Sequence, residues 1–516
     1  MNKIKNPNTI FFLFWIGLQL FFNWSEYINF APFGMHQGAQ ADRASVAYNY
    51  YNVSMNFLEP RVMESRSFNG ITGLEFPIIQ YIAAIFYKIF GFHDFIYRII
   101  MGAIVFGGCF SVWKISEFFI QKTTHRYLIF TIWYSSPILI FYTFNYIPDI
   151  AAMSFTLMAW HQFFKYYFGI TPKHSINKYL LFTTLAGLLK VTFLISHLSI
   201  LALLLLQKVQ PDSFRVKLIL KPLTNLKFFI PFIFIAAWYG YANHLTVTNW
   251  NFHFLQKMNP AKTFADLIEN TRFAFDTWSS RIYLTTALMA MATFYVASLI
   301  KYHQNLDILG WISVFLLGGF LAIFILFNGQ FKHHDYYFTA LFPFAFFAIL
   351  WLYQIHIGNK LVFTGIFAIA SIIGLWTIPF YNAFHSKQIL RRTFTKQDYY
   401  CQNVIDNIED YSAVKDFIDQ HLKSKTNEIW TAYDNSPNVS LYLLKRQGIR
   451  IADDFTPELI DGIWERKNND SKEIQPLIVL NNAQHWNQLP LKHVKIDPKP
   501  LFNHGSLGVY KMNYIP

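Results

Sequence analysis

Long apolar stretches, separated by shorter polar segments, occupy most of the first three quarters of the chain. A bilayer core about 30 Å thick needs about 20 apolar residues of helix to cross it. The apolar stretches, in chain order, are residues 10–28, 95–120, 127–147, 150–168, 179–207 (two short helices broken at Lys190), 228–241, 282–300, 308–327, 338–355 and 361–380. This pattern predicts a polytopic α-helical membrane protein, with about 11 transmembrane helices in residues 1–384.

The distribution of basic residues predicts which connections face the cytoplasm. Segment 76–90 is short for a span and contains Gln80 and Lys88, so its composition fits either a span or a helix lying on the membrane surface. Only the surface-lying alternative puts the basic loops 121–126 and 165–178 on the cytoplasmic side, as the positive-inside rule requires. The N-terminus is then cytoplasmic as well. Four polar connections are predicted to lie outside: the long first loop 29–75, the turn 146–149, the loop 242–281 and the turn 331–337.

Residues 385–516 have the composition of a soluble domain, and the same topology places them outside the membrane. Apolar runs at 428–433 and 476–480 predict short strands. Residues 439–446 predict a helix that ends at a glycine cap, Gly448. We therefore expect a small extracytoplasmic α/β domain at the C-terminus.

Composition supports the membrane assignment and excludes other classes of protein. The 516 residues are 53% hydrophobic and only 14% charged, whereas soluble domains carry about 25% charged residues. Two cysteines, Cys109 and Cys401, cannot build a disulfide framework or a cysteine-based zinc site. The net charge of +13 comes mostly from the membrane part. The sequence has no Walker motif, nucleophile elbow or base-recognition module, so no nucleic-acid partner is expected.

Carboxylates are rare in the membrane part, and those at its outer edge are the first candidates for chemistry. Asp42 follows the first span, and Asp149 opens a later one on the same side. One could act as the general base toward an acceptor hydroxyl, while the other orients it or helps to hold a cation. The alternative for Asp149 is an ordinary helix N-cap. Glu75, at the start of the surface-lying segment, is open to the same two interpretations.

Cationic side chains near the same edge are candidate phosphate ligands. Lys190 lies alone in an apolar stretch, where it either pairs with a phosphate or extends to the membrane interface. Arg43, Arg61 and Arg66 could clamp a phosphate or diphosphate, although arginines in outer loops are more often simply solvated.

The densest polar cluster is the outer turn that contains Lys332, His333, His334, Asp335, Tyr336 and Tyr337. Two histidines and an aspartate could bind a metal ion, but adjacent histidines on one loop rarely ligate the same ion. Hydrogen bonding to a substrate is the interpretation we prefer for this turn.

Several of these residues occur in an order typical of one family. They are Asp42 in the first outer loop, Pro77, Phe90, Gly91 and Arg98 in and after the surface helix, Pro148 and Asp149 opening a span, Lys190 within an apolar pair, and His334, Tyr336, Tyr337 and Pro343 around the last outer turn. In this order residues 8–381 resemble the GT-C membrane glycosyltransferases, in particular the protein O-mannosyltransferase and aminoarabinose-transferase group.

The resemblance implies an inverting transfer of a sugar from a polyprenyl-phosphate donor to an acceptor hydroxyl or phosphate outside the cytoplasm, on a protein, lipid or glycan. It implies that Asp42 is the catalytic base, Asp149 a second active-site acid, and Glu75 a contact to the acceptor or a metal ion. Lys190 and the arginines would bind the lipid phosphate. No cofactor is required, although a divalent metal ion stays open, with Glu75 and His253 as weak candidate ligands. A bacterial inner membrane, with its lipids around the protein, is the expected location.

Two positions depart from the family pattern. Arg43 stands where many relatives have a second acid directly after the loop aspartate, and Phe76 stands where some have a lysine after the glutamate. Phosphate binding is then left to Lys190, Arg61, Arg66 or Lys332. A transporter or lipid flippase is one alternative, but the charges lie at the outer edge and the two halves show no repeat. A transferase-like scaffold without activity is the other.

Overall fold

The structure is a computed structural model. It describes residues 6–22, 24–66, 68–209, 226–251, 254–255, 257–283, 285–356, 365, 408–422, 428–432, 436–451, 455–469, 477–480, 489 and 492–514. Two compact units make up the chain. The helical unit comprises Met1–Ile28, Ile99–Tyr239 and Lys257–His385, and the mixed unit comprises Asn29–Arg98, Gly240–Gln256 and Ser386–Pro516. The predicted domain boundary at 384/385 and the predicted span 361–380 lie outside the described residues, apart from Gly365.

Helices dominate the described part of the chain. They are α1 (Pro7–Phe21), α2 (Trp24–Tyr27), α3 (Gln37–Asn52), α4 (Ile78–Phe90), α5 (Asp94–Phe119), α6 (Thr123–Tyr134), α7 (Pro137–Tyr142), α8 (Pro148–Tyr167), α9 (Pro172–Leu189), α10 (Leu194–Val209), α11 (Ile230–Thr248), α12 (Phe264–Ile282), α13 (Thr285–Tyr302), α14 (Ile308–Leu326), α15 (Asn328–His333), α16 (Phe342–His356), α17 (Ile408–His421), α18 (Val439–Leu443) and α19 (Pro457–Asn469). Short 3-10 turns include Val191–Phe193, Leu226–Phe229 and Asp335–Leu341.

Four helical segments among the described residues are long and apolar enough to cross a membrane: Asp94–Phe119, Leu226–Thr248, Ile308–Leu326 and Asp335–His356. The helix pair Phe264–Ile282 and Ala287–Asn305, bent by 99°, makes a fifth only if its two halves form one broken span. The other predicted spans are shorter, interrupted or, like α8, long enough but less apolar. Stretch 127–147 is divided into α6 and α7 at Pro137 because proline cannot donate its backbone N–H within a helix. The number of about 11 spans therefore stays a prediction.

Two predictions about individual segments can be compared with the helices. The predicted break at Lys190 is confirmed, since α9 ends at Leu189 and a 3-10 turn follows. The predicted loop 242–281 is instead largely helical, because α11 continues to Thr248 and α12 fills its second half. Helix α12 begins at a capping box in which the Thr263 side chain and Asp266 satisfy each other's backbone N–H groups. The spacing of Thr263 and Asp266, three residues apart, is a helix-start pattern that can be recognised in the sequence.

The mixed unit contains a six-stranded sheet of order β2-β1-β3-β6-β4, with β5 paired to β6. Its strands are β1 (Ile429–Ala432), β2 (Gly448–Ile451), β3 (Leu477–Leu480), β4 (Val494–Ile496), β5 (Phe502–His504) and β6 (Leu507–Tyr514). Strand β1 is parallel to β2 and β3, whereas β6 is antiparallel to β3, β4 and β5. The strands predicted at 428–433 and 476–480 are confirmed as β1 and β3, and both are buried at every position.

The glycine cap predicted at Gly448 is wrong. Helix α18 ends at Leu443, and Lys445 takes the left-handed conformation with φ 53°. Gly448 instead begins β2, where a Cβ would lie 1.8 Å from the carbonyl oxygen of Ile429. A glycine is therefore required by close backbone approach within the sheet rather than by a helix end.

Candidate active site

Asp42 and Arg43 lie on α3, a helix of the mixed unit that is buried along most of its length. Ala41 and Ala44 flank the pair, and their small side chains allow other segments to approach the helix closely. The Asp42 carboxylate is 17% exposed. Its Oδ1 accepts a hydrogen bond of 2.8 Å from Nδ2 of Asn438, and its Oδ2 lies 3.5 Å from Nη1 of Arg43. An oriented carboxylate that keeps some access is what a general base requires.

Arg43 forms a bidentate ion pair with Glu75. The Arg43 Nε lies 2.8 Å from Oε1 and Nη2 lies 3.1 Å from Oε2, and both residues are buried. This fork geometry is the strongest that a guanidinium offers to a carboxylate. Glu75 does not cap α4, because the N-cap of that helix is Pro77. The residue directly after Asp42 is therefore not an acid but an arginine, which neutralises the carboxylate of Glu75, 32 residues later in the chain.

The two other candidate arginines of the first loop also lie beside acids. Arg61 Nη2 is 2.8 Å from Oε2 of Glu59. Arg66 Nε is 3.6 Å from Oε1 of Glu64, and its guanidinium lies over the ring of Phe455 at 5.0 Å. Their assignment to a phosphate stays a prediction.

In the helical unit, Asp149 and Lys190 form a second ion pair. Asp149 occupies the first turn of α8 and is buried. The N-cap of that helix is Ile147, with Pro148 next, so the capping alternative for Asp149 is wrong. Lys190 ends α9 with extended backbone, and the β-branched residues that follow it disfavour continuation of the helix. Its Nζ lies 3.2 Å from Oδ1 of Asp149.

Two tyrosines complete this cluster. Lys190 Nζ lies 4.1 Å from the ring centroid of Tyr337 and 5.5 Å from that of Tyr336, within the range of cation–π attraction. Both tyrosines are buried. The structure thus brings together residues from three separate places in the sequence: Asp149, Lys190, and the adjacent Tyr336 and Tyr337.

The remaining residues of the predicted outer turn have separate partners. Asp335 accepts a hydrogen bond of 2.6 Å from the hydroxyl of Tyr142. Lys332 lies 3.0 Å from Oε1 of Glu269 on α12. His334 stacks on Tyr336, with ring centroids 5.1 Å apart. Burial, and secondarily Lys332, lowers the pKa of His333, which favours a neutral imidazole.

The described residues do not provide a ligand set that fits a metal ion. No group of three or more His, Cys, Asp or Glu side chains in that part of the chain is arranged to hold one. Both carboxylate oxygens of Glu75 face Arg43. His253 lies outside the described residues.

Asn438 belongs to this site, beside Asp42, although the sequence does not single it out as a candidate. The sequence offers one weak signal, because Asn438, Val439 and Ser440 match an N-glycosylation pattern. Nothing in that pattern connects the asparagine to Asp42.

Comparisons with known proteins identify the fold. No protein-family model matches the sequence, and no curated protein matches it either. The structure resembles ArnT from Cupriavidus metallidurans in the apo state, with a TM-score of 0.59, 10% identity and 98% of both chains covered. It also resembles the same protein bound to undecaprenyl phosphate, with a TM-score of 0.57, 11% identity, and 97% of this chain and 98% of that one covered. The resemblance to the GT-C glycosyltransferases, drawn from residue order, is confirmed at the level of the fold.

Proposed function

We propose that this protein is a membrane glycosyltransferase that moves a sugar from a polyprenyl-phosphate donor to an acceptor hydroxyl or phosphate. The observation that carries the proposal is the Asp42 carboxylate, which is held by an amide and a guanidinium and keeps some access. The fold supports it, because the match to ArnT extends over 98% of both chains. One of the two ArnT structures is bound to undecaprenyl phosphate, the class of lipid that we assign to the donor.

With a hydroxyl acceptor, Asp42 takes the proton as the acceptor oxygen bonds to the anomeric carbon of the sugar. The bond between that carbon and the phosphate oxygen breaks, and its electron pair leaves with the polyprenyl phosphate. Attack on the face opposite the leaving group inverts the anomeric configuration. A phosphate acceptor is already ionised and would need orientation more than a base.

The leaving phosphate needs cationic stabilisation, and we assign this role to Lys190. Asp149 and Tyr337 hold its ammonium group in place. Arg43 is less suited to bind the phosphate, because its Nε and Nη2 groups already donate to the carboxylate of Glu75. The proposed steps use neither a nucleotide nor a metal ion.

The proposed orientation follows from the distribution of basic loops, and the bacterial inner membrane follows from the resemblance to the GT-C glycosyltransferases. We place the protein in a bacterial inner membrane, with its N-terminus in the cytoplasm and its C-terminal segment outside. The acceptor is then a protein, lipid or glycan on the outer face, and the sheet of the mixed unit lies on the acceptor side.

The test is transfer of radiolabelled sugar from a panel of polyprenyl-phosphate donors in membranes that contain wild type, Asp42→Asn or Asp276→Asn. Asp42→Asn should reduce transfer by about 100-fold to 10,000-fold, the usual contribution of a general base. Asp276 is the matched control because its side chain is 65% exposed and pairs only along α12 with Arg272 among the contacts described. Full activity of a well-folded Asp42→Asn variant would refute the base assignment.

A further inference from the structure

We infer that Asn438 is a positioning residue for the Asp42 carboxylate, so that the C-terminal segment supplies part of the active site. This inference rests on the proposed function, because it gives Asn438 a role through the base. Asn438 and Asp42 are 396 residues apart in sequence and belong to the same mixed unit.

The partners of Asn438 determine the orientation of its side-chain amide. Nδ2 donates to Oδ1 of Asp42 at 2.8 Å, and Oδ1 accepts from the backbone N–H of Glu64 at 2.9 Å. An ionised carboxylate can only accept a hydrogen bond, whereas a backbone N–H can only donate one. Only one of the two amide orientations satisfies both partners, so the NH₂ group must face Asp42. Asn438 has no exposed surface, so bulk water does not reach the atoms of its side-chain amide.

Backbone contacts between the first loop and β2 hold this amide in place. The N–H of Gly448 donates to the carbonyl oxygen of Met63 at 3.0 Å, and the N–H of Ser65 donates to the carbonyl oxygen of Gly448 at 2.7 Å. The hydroxyl of Ser65 adds a second bond to Gly448 at 3.0 Å. These bonds fix the C-terminal segment against the loop that follows α3. Correct docking of that segment is therefore a condition for the Asn438 contact.

The contact has two chemical consequences for a base. It limits rotation of the carboxylate, which keeps its oxygens aimed in one direction. It also stabilises the charged form, because a hydrogen bond donated to a carboxylate favours ionisation. Without the amide, Asp42 should become protonated at a higher pH and should lose its fixed orientation.

The same geometry argues against the use of Asn438 as a glycan acceptor in the folded chain. An N-linked sugar would have to be attached to Nδ2, the atom that is buried against Asp42. The residue therefore has a structural explanation that the sequence pattern did not supply.

The test is steady-state transfer as a function of pH, with the full-length protein in membranes. Asn438→Ala should reduce kcat about 10-fold, with a smaller change in KM for the donor, since the amide contacts the base. The acid limb of the pH profile should move to higher pH, because the carboxylate loses a hydrogen bond that favours its ionised form. Asn56→Ala is the matched control, because it truncates an exposed asparagine of the same unit whose amide oxygen accepts from the backbone N–H of Leu58 and does not contact Asp42. The acid limb of the pH profile of that control variant should match that of wild type.

A second comparison measures the contact without activity. Asn438→Asp sets two carboxylates against each other and should lower Tm, whereas the swapped variant Asp42→Asn with Asn438→Asp should recover most of the loss. The swapped pair keeps one donor between the two side chains, but it removes the base and should be inactive.

An unmoved acid limb in folded Asn438→Ala, or no recovery of Tm in the swapped variant, would overturn the positioning role. The proposed function fails separately, if Asp42→Asn retains full transfer.

Discussion

Replacement of Glu75 by glutamine should destabilise the mixed unit because it removes the bidentate charged partner of a buried arginine, which keeps the more distant carboxylate of Asp42 at 3.5 Å. The pair is bidentate, at 2.8 and 3.1 Å, and the side chains of Arg43 and Glu75 are only 10% and 8% exposed. Removal of one partner from a buried ion pair costs about 3–5 kcal/mol. The introduced glutamine keeps one oxygen that can accept a hydrogen bond, so we expect the lower end, about 3 kcal/mol.

Thermal unfolding of the purified protein in lipid nanodiscs measures this cost. A loss of about 3 kcal/mol should lower Tm by about 6 to 12 °C for a unit of this size. The matched control is Glu59→Gln, which breaks a pair of the same chemistry with Arg61 at 2.8 Å. The Glu59 side chain is 38% exposed, so solvent screening should keep its effect within about 1 kcal/mol.

A double variant separates pairing from packing. Arg43→Met with Glu75→Leu removes both charges and should recover much of the loss, because apolar residues of similar size often replace a buried pair without penalty. An unchanged Tm for Glu75→Gln, together with a changed donor KM, would refute the reasoning. Arg43 would then act on the phosphate rather than as a partner of Glu75.

Three further outcomes are expected. Lys190→Met should raise the donor KM at least about 10-fold in the transfer assay, because it removes the proposed phosphate ligand, and an unchanged KM would contradict that role. Burial lowers the pKa of Lys445 from 10.5 to about 8. Between pH 8 and pH 10.5 the lysine is therefore protonated in the unfolded chain and neutral in the folded one, so the free energy of unfolding rises with pH over that range. Lys445→Met should therefore be more stable than wild type at pH 7, by up to about 3 kcal/mol, and the difference in Tm should shrink above pH 8. Gly448→Ala should prevent correct formation of the sheet, because the added Cβ would collide with the backbone of Ile429. Gly462→Ala should leave Tm unchanged or raise it slightly, because a Cβ there meets nothing within 4 Å. Equal circular dichroism and equal Tm for the two variants would contradict the close contact between Gly448 and Ile429.

The sequence predicts the residues of the site better than it predicts their partners. Asp149 and Lys190 stand out because each is a charge at the edge of an apolar stretch, a pattern that is visible locally. Their pairing at 3.2 Å depends on how α8 and α9 pack. Periodicity along one chain carries no information on that packing. The Arg43–Glu75 pair was missed for the same reason, although both residues were identified as candidates.

The fold shows a similar limit. Strands β1 and β3 follow from short buried runs, and the break at Lys190 follows from a charge within an apolar stretch. The number of spans was harder to predict, because hydropathy averages over breaks such as the one at Pro137. Gly448 resembled a helix cap in the sequence, but its requirement comes from a neighbouring strand that periodicity does not reveal.

The central claim, that this chain breaks a sugar–phosphate bond of a polyprenyl donor, is tested most directly by donor consumption. Purified protein in nanodiscs would receive radiolabelled polyprenyl-phosphate sugars together with an extract of outer-face acceptors. The account predicts release of polyprenyl phosphate in equal amount to the sugar transferred, inverted configuration in the product, and loss of both with Asp42→Asn. Folded wild type that consumes none of a broad donor panel, or consumption that does not depend on Asp42, would contradict it.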